Sequence, residues 1–400
     1  DEVTIAEVLS EAGYATGFFG KGHLGDIEES YLHNQGFDEA LFTPYNQVLS
    51  LWNPMGEGAN AVLGLIQSNL SENPYELDEN FIPKGWVMAI EGKKGELGRE
   101  WRGTSHDDYL AFDPEIEKRT LAFIQKNAES KKPFYVCYWP NMTSFIPNPK
   151  KMTPGRGLFG EGITKVDAFV GQVLDELKRL DIAENTLVIA IADNGPMVHD
   201  PPPGLGMTDL IFRGGKGDHS EGGIRVPAMA WWPGVIEAGQ IVGDIIHVTD
   251  LYTTFARLGG AIQYIPTDRV IDGVDQTALL MKGDTHSRRD YVFVYKGNDL
   301  AATIKGNYKR DWFIGKPGMV DTSFFDLLND TREHHPVMVP MLHTNASFYR
   351  MKVRHDLMKK KYPDKEQAHG IPFTGLSNAR PETEALAKKP KALDLSLIHI

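Results

Sequence analysis

Apolar residues recur at helical spacing in the first dozen positions, where Ile5, Val8, Leu9 and Ala12 follow the capping-box pattern Thr4-Ile5-Ala6-Glu7 and Gly13 ends the run. Tyr14–Phe19 then reads as a short strand and Gly20–Gly25 as a glycine-rich turn. Residues 46–106 are rich in Gly, Pro and Asn, with Trp52, Trp86 and Trp101 scattered through them, and read as irregular, either an elaborated loop over a site or a poorly ordered insertion. Asp113-Pro114 opens a second helix, with Ile116, Thr120, Phe123 and Ile124 on one face. The apolar run Phe134–Tyr138 predicts a buried strand. Ile163, Val166, Val170, Val173, Leu174 and Leu177 predict a long amphipathic helix. Leu187–Ala192 and Val226–Trp232 are short β-prone runs, and Asp250–Leu258 is a further helix.

Helix alternating with strand predicts an α/β fold with a mainly parallel sheet sandwiched by helices. After about residue 286 the texture changes. Tyr291–Tyr295, Leu300–Lys305 and Phe324–Leu327 are short runs between Gly, Asn and Asp turns, which predicts a small antiparallel subdomain with a helix. The expected division is 1–285, 286–362 with the basic stretch Met351–Lys361, and a polar tail over 363–400. Within that tail, Leu395–Ile400 reads as adapter-derived and is assigned no role.

Composition narrows the function. Forty-two Lys and Arg against 54 Asp and Glu give a net charge of -12, which argues against a duplex-DNA binder. No apolar run is long enough to predict a membrane span. A single cysteine, Cys137, excludes an internal disulfide framework and a multi-cysteine zinc site, and its place within a strand reads as an inert core thiol.

Ligands of open α/β sheets sit beyond the carboxyl ends of the strands, and three strands here end in polar groups. Leu187–Ala192 runs into Asp193-Asn194-Gly195, Tyr14–Phe19 into Gly20-Lys21-Gly22-His23, and Phe134–Tyr138 into Trp139 through Ser144. A fourth segment, Gly214-Gly215-Lys216-Gly217, lies in a loop before the strand at Val226. Asp193 and Asn194 are hard oxygen donors suited to Ca²⁺ or Mg²⁺, though two oxygens cannot fill a calcium shell. Lys21, His23 and Lys216 would clamp a tetrahedral anion. Gly20-x-Gly22-x-x-Gly25 formally matches a dinucleotide fingerprint, but as a lone match it is weak.

Taken together, these segments resemble a type I sulfatase of the arylsulfatase group, within the alkaline-phosphatase-like superfamily. The resemblance is carried by Gly13-Tyr14-Ala15-Thr16, Gly20-Lys21-Gly22-His23-Leu24-Gly25, Ala192-Asp193-Asn194-Gly195-Pro196, Arg213-Gly214-Gly215-Lys216-Gly217 and Glu221-Gly222-Gly223-Ile224-Arg225-Val226-Pro227-Ala228. Phe325-Asp326-Leu327 with Asp330 and Glu333 resembles the family's C-terminal signature. The resemblance implies a sulfuric ester hydrolase that uses a formylglycine nucleophile and one Ca²⁺ ion. It implies Asp193 and Asn194 as metal ligands, Lys21 on the nucleophile and sulfate oxygens, His23 in sulfate release, and Lys216 on the sulfate and leaving oxygen. A sulfated small molecule or carbohydrate would be the partner, and the compartment would be periplasmic, secreted or lysosomal.

Three departures stand out. The family's early aspartate pair and its Cys/Ser-x-Pro-x-Arg motif would lie upstream of the opening helix, so the chain reads as an N-terminally truncated, inactive fragment. The loop after Phe134–Tyr138, where the family usually supplies a histidine, reads Asn141-Met142-Thr143-Ser144, and Gly22 stands where an aromatic residue is commoner. Two alternatives remain open. One is a phosphodiesterase or phosphonate hydrolase of the same fold, whose Asp-His-Gly would bind zinc or manganese. The other is a non-catalytic anion-binding relative.

Overall fold

The computed structural model describes residues 2–25, 28–43, 86–103, 111–141, 157–196, 210–283, 286–314, 324–337 and 342–363. Trp52, Ser144 and the tail beyond residue 363 lie outside them.

Helix α1 (Ile5–Glu11) begins at the predicted capping box: Thr4 Oγ1 accepts from the Glu7 amide at 3.2 Å and Glu7 Oε2 accepts from the Thr4 amide at 2.6 Å. Strand β1 (Ala15–Lys21) is buried along its whole length and continues two residues past Phe19, so Lys21 is held in the strand rather than in the turn. Next come β2 (Glu39–Thr43), β3 (Trp86–Lys93), β4 (Arg99–Gly103), helix α2 (Phe112–Glu129) and β5 (Phe134–Trp139). These five strands form one sheet in the order β4-β3-β2-β1-β5.

Helix α3 (Gly157–Arg179) leads to β6 (Val188–Ile191), the short helix α4 (Glu221–Ile224) and β7 (Ala228–Trp231). Helices α5 (Asp250–Leu258) and α6 (Thr277–Lys282) follow. Strands β8 (Val292–Lys296), β9 (Asp299–Lys305), β10 (Tyr308–Asp311) and β11 (Phe324–Asp326) make a four-stranded sheet, and α7 (Leu342–Lys361) ends the described chain.

The expectation of a mainly parallel sheet is wrong. Among the described residues only β1 pairs in parallel, with β2 on one side and β5 on the other. The pairs β2–β3, β3–β4 and β6–β7, and every pair of the four-stranded sheet, are antiparallel. The cause lies in the connections. A parallel return needs a crossover of a dozen or more residues, usually a helix, and α2 supplies one between β4 and β5. Between β6 and β7 the described chain offers only the four-residue α4. Strands β3 and β4 are joined by a short turn at Lys94–Gly98 and form a hairpin inside the stretch expected to be irregular. A register shift between Val87 and Ala89 breaks the alternation that would have revealed it.

Ala6, Phe18, Tyr31, Leu32, Phe37, Ala40, Phe42 and Ile90 form a core beside β1, with Tyr135 and Cys137 packed against it. Burial pushes the Cys137 thiol up to about 11, the opposite of what a nucleophile needs. Val8 and Leu9 of α1 pack on Ala256 of α5 and on Ala261. Phe324 and, from α7, Phe348 and Met351 centre a further cluster on the antiparallel sheet. The β6 run is only half-buried and Ile191 is exposed, because its sole described strand partner is β7.

Candidate active site

The carboxyl ends of β1 and β6 carry the groups that meet. Lys21, the last residue of β1, is buried, and its Nζ donates to Asp193 Oδ2 at 2.6 Å. Glycine makes this strand end possible. Gly20 has φ of +129°, and a Cβ there would collide with the Trp139 carbonyl of β5, so no side chain stands between the two strand ends. Asp193 Oδ1 accepts from the Asn194 amide at 2.9 Å. Asn194 Nδ2 donates to the Gly195 carbonyl at 2.7 Å, which leaves Oδ1 as the acceptor of that amide.

Lys216 reaches the same place from the loop before α4. Its amide donates to the Pro196 carbonyl at 2.8 Å, and the Gly195 amide donates to the Gly223 carbonyl at 3.1 Å. The two loops therefore lie backbone against backbone. A Cβ on Gly195 would overlap the Gly222 carbonyl, and one on Gly222 would overlap the carbonyls of Arg213 and Gly214. Gly195 and Gly222 are thus explained by close packing of main chains.

Charge links the four side chains. Burial alone would raise the Asp193 carboxyl, but the hydrogen bond and charge of Lys21, then Lys216 and the Asn194 amide, outweigh it and hold the group below the usual carboxylate range. Lys216 is lowered first by burial and then by repulsion from Lys21, with Asp193 opposing. His23 keeps solvent access, yet the protein packed around it, then Lys21 and Lys216, hold its imidazole below the ordinary range. Two ammonium groups, one neutral imidazole and one carboxylate share a small, half-open site. Such a site favours an added anion and leaves Asp193 as the counter-charge.

The metal expectation rests on the donor types alone. Among the described residues no group of three or more His, Cys, Asp or Glu side chains could hold an ion. Asp193 and Asn194 are the right kind of oxygen donor and too few for a calcium shell. Ser144 lies outside the described residues.

Residues of the second sheet that sequence reasoning did not single out hold the Lys216 loop. Lys309 of β10, fully buried, donates to the His219 carbonyl at 2.6 Å and pairs with Glu221 at 3.3 Å and Glu333 at 2.9 Å. His219 Nε2 lies 2.8 Å from Asp311 Oδ2, also on β10. Glu333 was noted only as part of a C-terminal signature, and no local pattern marks Lys309.

The sulfatase family model matches residues 1–261. The steryl-sulfatase of Rattus norvegicus is 28% identical over 408 residues, covering 84% of this chain and 70% of that protein. The N-acetylgalactosamine-6-sulfatase of Canis lupus familiaris is 31% identical over 314 residues, covering 77% of this chain and 54% of that protein. The chain thus spans little more than half of the second relative. The crystal structure of the PsFucS1 sulfatase from Pseudoalteromonas sp. superposes with a TM-score of 0.77 at 27% identity, covering 91% of this chain and 74% of that one.

Proposed function

The chain belongs to the sulfatase family, and on that premise we propose that it forms the charge-stabilising part of a sulfuric ester hydrolase site. In this reading Lys21, His23 and Lys216 receive the sulfuryl group, and Asp193 with Asn194 contributes to a divalent cation site. The observation that carries it is the convergence of Lys21, Lys216 and His23 on Asp193, expressed in the 2.6 Å contact of Lys21 and in the downward shifts of Asp193, Lys216 and His23.

A sulfate ester in its transition state spreads negative charge over oxygens on sulfur and on the leaving group. Fixed positive groups aimed at those oxygens stabilise it more than they stabilise the ground state. Lys21, anchored in a buried strand, would supply one such charge with little reorganisation. Lys216, on a loop seated by its own amide, would supply the second. Its lowered pKa makes its ammonium a better proton donor to a leaving oxygen than an exposed lysine is. His23, held neutral, is able to accept a proton when sulfate departs. A Ca²⁺ ion, when bound, would polarise the sulfate oxygens.

The 400 residues contain no Cys/Ser-x-Pro-x-Arg segment, so no nucleophile is assigned to this chain. The relatives' names differ in the alcohol that carries the sulfate, so the proposal stops at the sulfate ester they share. Asn194 in place of an imidazole favours this reading over a zinc phosphodiesterase.

Calorimetric titration with inorganic sulfate tests it. Lys21→Met and Lys216→Met should each weaken sulfate binding about tenfold, the loss of one charge-assisted hydrogen bond. Unchanged affinity in both variants would overturn the proposal.

A further inference from the structure

We propose that Lys309 is a positioning residue for Lys216, setting from the second sheet the place of the loop that carries it. The inference rests on the reading of Lys216 as a sulfate-contacting group.

Lys309 Nζ donates to two acceptors, the His219 carbonyl and Glu221 Oε1, and forms an ion pair with Glu333 Oε1 as its third neighbour. Two of the three belong to the segment just after Lys216. Glu333 closes the ring from the other side. Its Oε2 accepts the Glu221 amide at 2.8 Å, and its carbonyl accepts Arg213 at 2.9 Å. Both ends of the stretch from Arg213 to Glu221 are therefore fastened to one residue, with Lys216 between them. Glu333 itself has φ of +52°, a conformation that a side-chain-bearing residue rarely adopts. His219 adds a further fastening to Asp311, whose Oδ1 is fixed by the amides of Phe313 and Ile314.

Stability alone is a poor reason for this cluster. Lys309, Glu221 and Glu333 are all buried, and desolvating three charges costs about as much as their pairing returns. Apolar side chains of similar volume would join the two regions as firmly. They would not fix the main-chain path of a loop, because they offer no directional bonds to its amides and carbonyls.

The test uses this polypeptide and no substrate, so its outcome is independent of whether sulfate is the ligand. Lysine acylation rates are measured by mass spectrometry at one pH in wild type, Lys309→Met, Lys309→Arg and the triple variant Lys309→Met/Glu221→Gln/Glu333→Gln. The triple variant leaves no buried carboxylate unpaired in the cluster, so it remains informative if the single variant does not fold. In Lys309→Met and in the triple variant, Lys216 should react about tenfold faster than in wild type while Lys21 stays unchanged, and Lys309→Arg should be intermediate. An unchanged Lys216 rate would overturn the proposal. So would an equal rise at Lys21 and Lys216, since that reports general loosening. If the sulfate titration fails while Lys216 alone speeds up, the loop brace stands and the ligand assignment falls.

Discussion

Lys21 and Asp193 make one ion pair with unequal surroundings, and the inequality predicts unequal costs. The lysine side chain is 7% exposed and the aspartate 43%. Asp193→Asn would strand a buried ammonium and should cost about 2–3 kcal/mol, at the low end for a broken buried pair because half of this one sees solvent. Lys21→Met strands a carboxylate that can still hydrate, and should cost about 1 kcal/mol. Urea unfolding of the two variants checks the order, and a larger loss for Lys21→Met would contradict it. The pH dependence follows from the shifts at Asp193 and His23, both downward. A lowered folded-state value means that the unfolded chain binds protons first, so each contribution is complete above the group's ordinary range and is lost as pH falls through the folded value. Stability should thus drop first as pH falls below the ordinary imidazole range and again below the carboxylate range. His23→Gln should remove the first drop in denaturation midpoints measured against pH. At this scale the sequence was informative, because Lys21, His23 and Asp193 stand in short motifs at strand ends and Lys216 in a glycine-rich loop. Lys309 was not legible, since its partner Glu221 is 88 positions away and no spacing rule links them.

At the scale of elements, the glycines beside the site, in β1 and in α4, make a prediction that charge does not. Gly222→Ala places a methyl group against the carbonyls of Arg213 and Gly214, and Gly20→Ala adds an unfavourable φ to a clash with Trp139. Each clash is with main chain that cannot turn aside, so each should cost about 3 kcal/mol or more and lower the melting temperature by several degrees. Gly171→Ala, on α3 with open space around it, should be neutral or stabilising in the same thermal scan. Most helices and strands could be read from periodicity. The β3–β4 hairpin could not, because glycines and a register shift disguise it. Strand direction was misread for a related reason: alternating helix and strand suggests parallel crossovers, whereas direction depends on whether a given helix spans the return.

Across the whole molecule, the parallel centre of the first sheet and the β6–β7 ribbon each deliver one half of the charge cluster, and the second sheet braces it. With no Cys/Ser-x-Pro-x-Arg segment in the chain, this polypeptide should release no sulfate from an aryl sulfate ester, with or without Ca²⁺. Metal-dependent release by the purified 400-residue protein would refute that. The domain-scale motifs were readable because they are runs of adjacent residues. The brace was invisible because it joins β10, α4 and the segment near Glu333, which only the folded chain brings together.

The ring around Lys309 also sets a rule for protein engineering. Replacing the C-terminal sheet with one from a distant homologue would import no reacting group, yet it would change the seat on which Lys216 rests. A chimera should therefore keep its ligand-facing loops intact only if the donor segment brings an ammonium and a carboxylate to the places of Lys309 and Glu333. Modules that look interchangeable in sequence are, at this seam, a lock and its keeper.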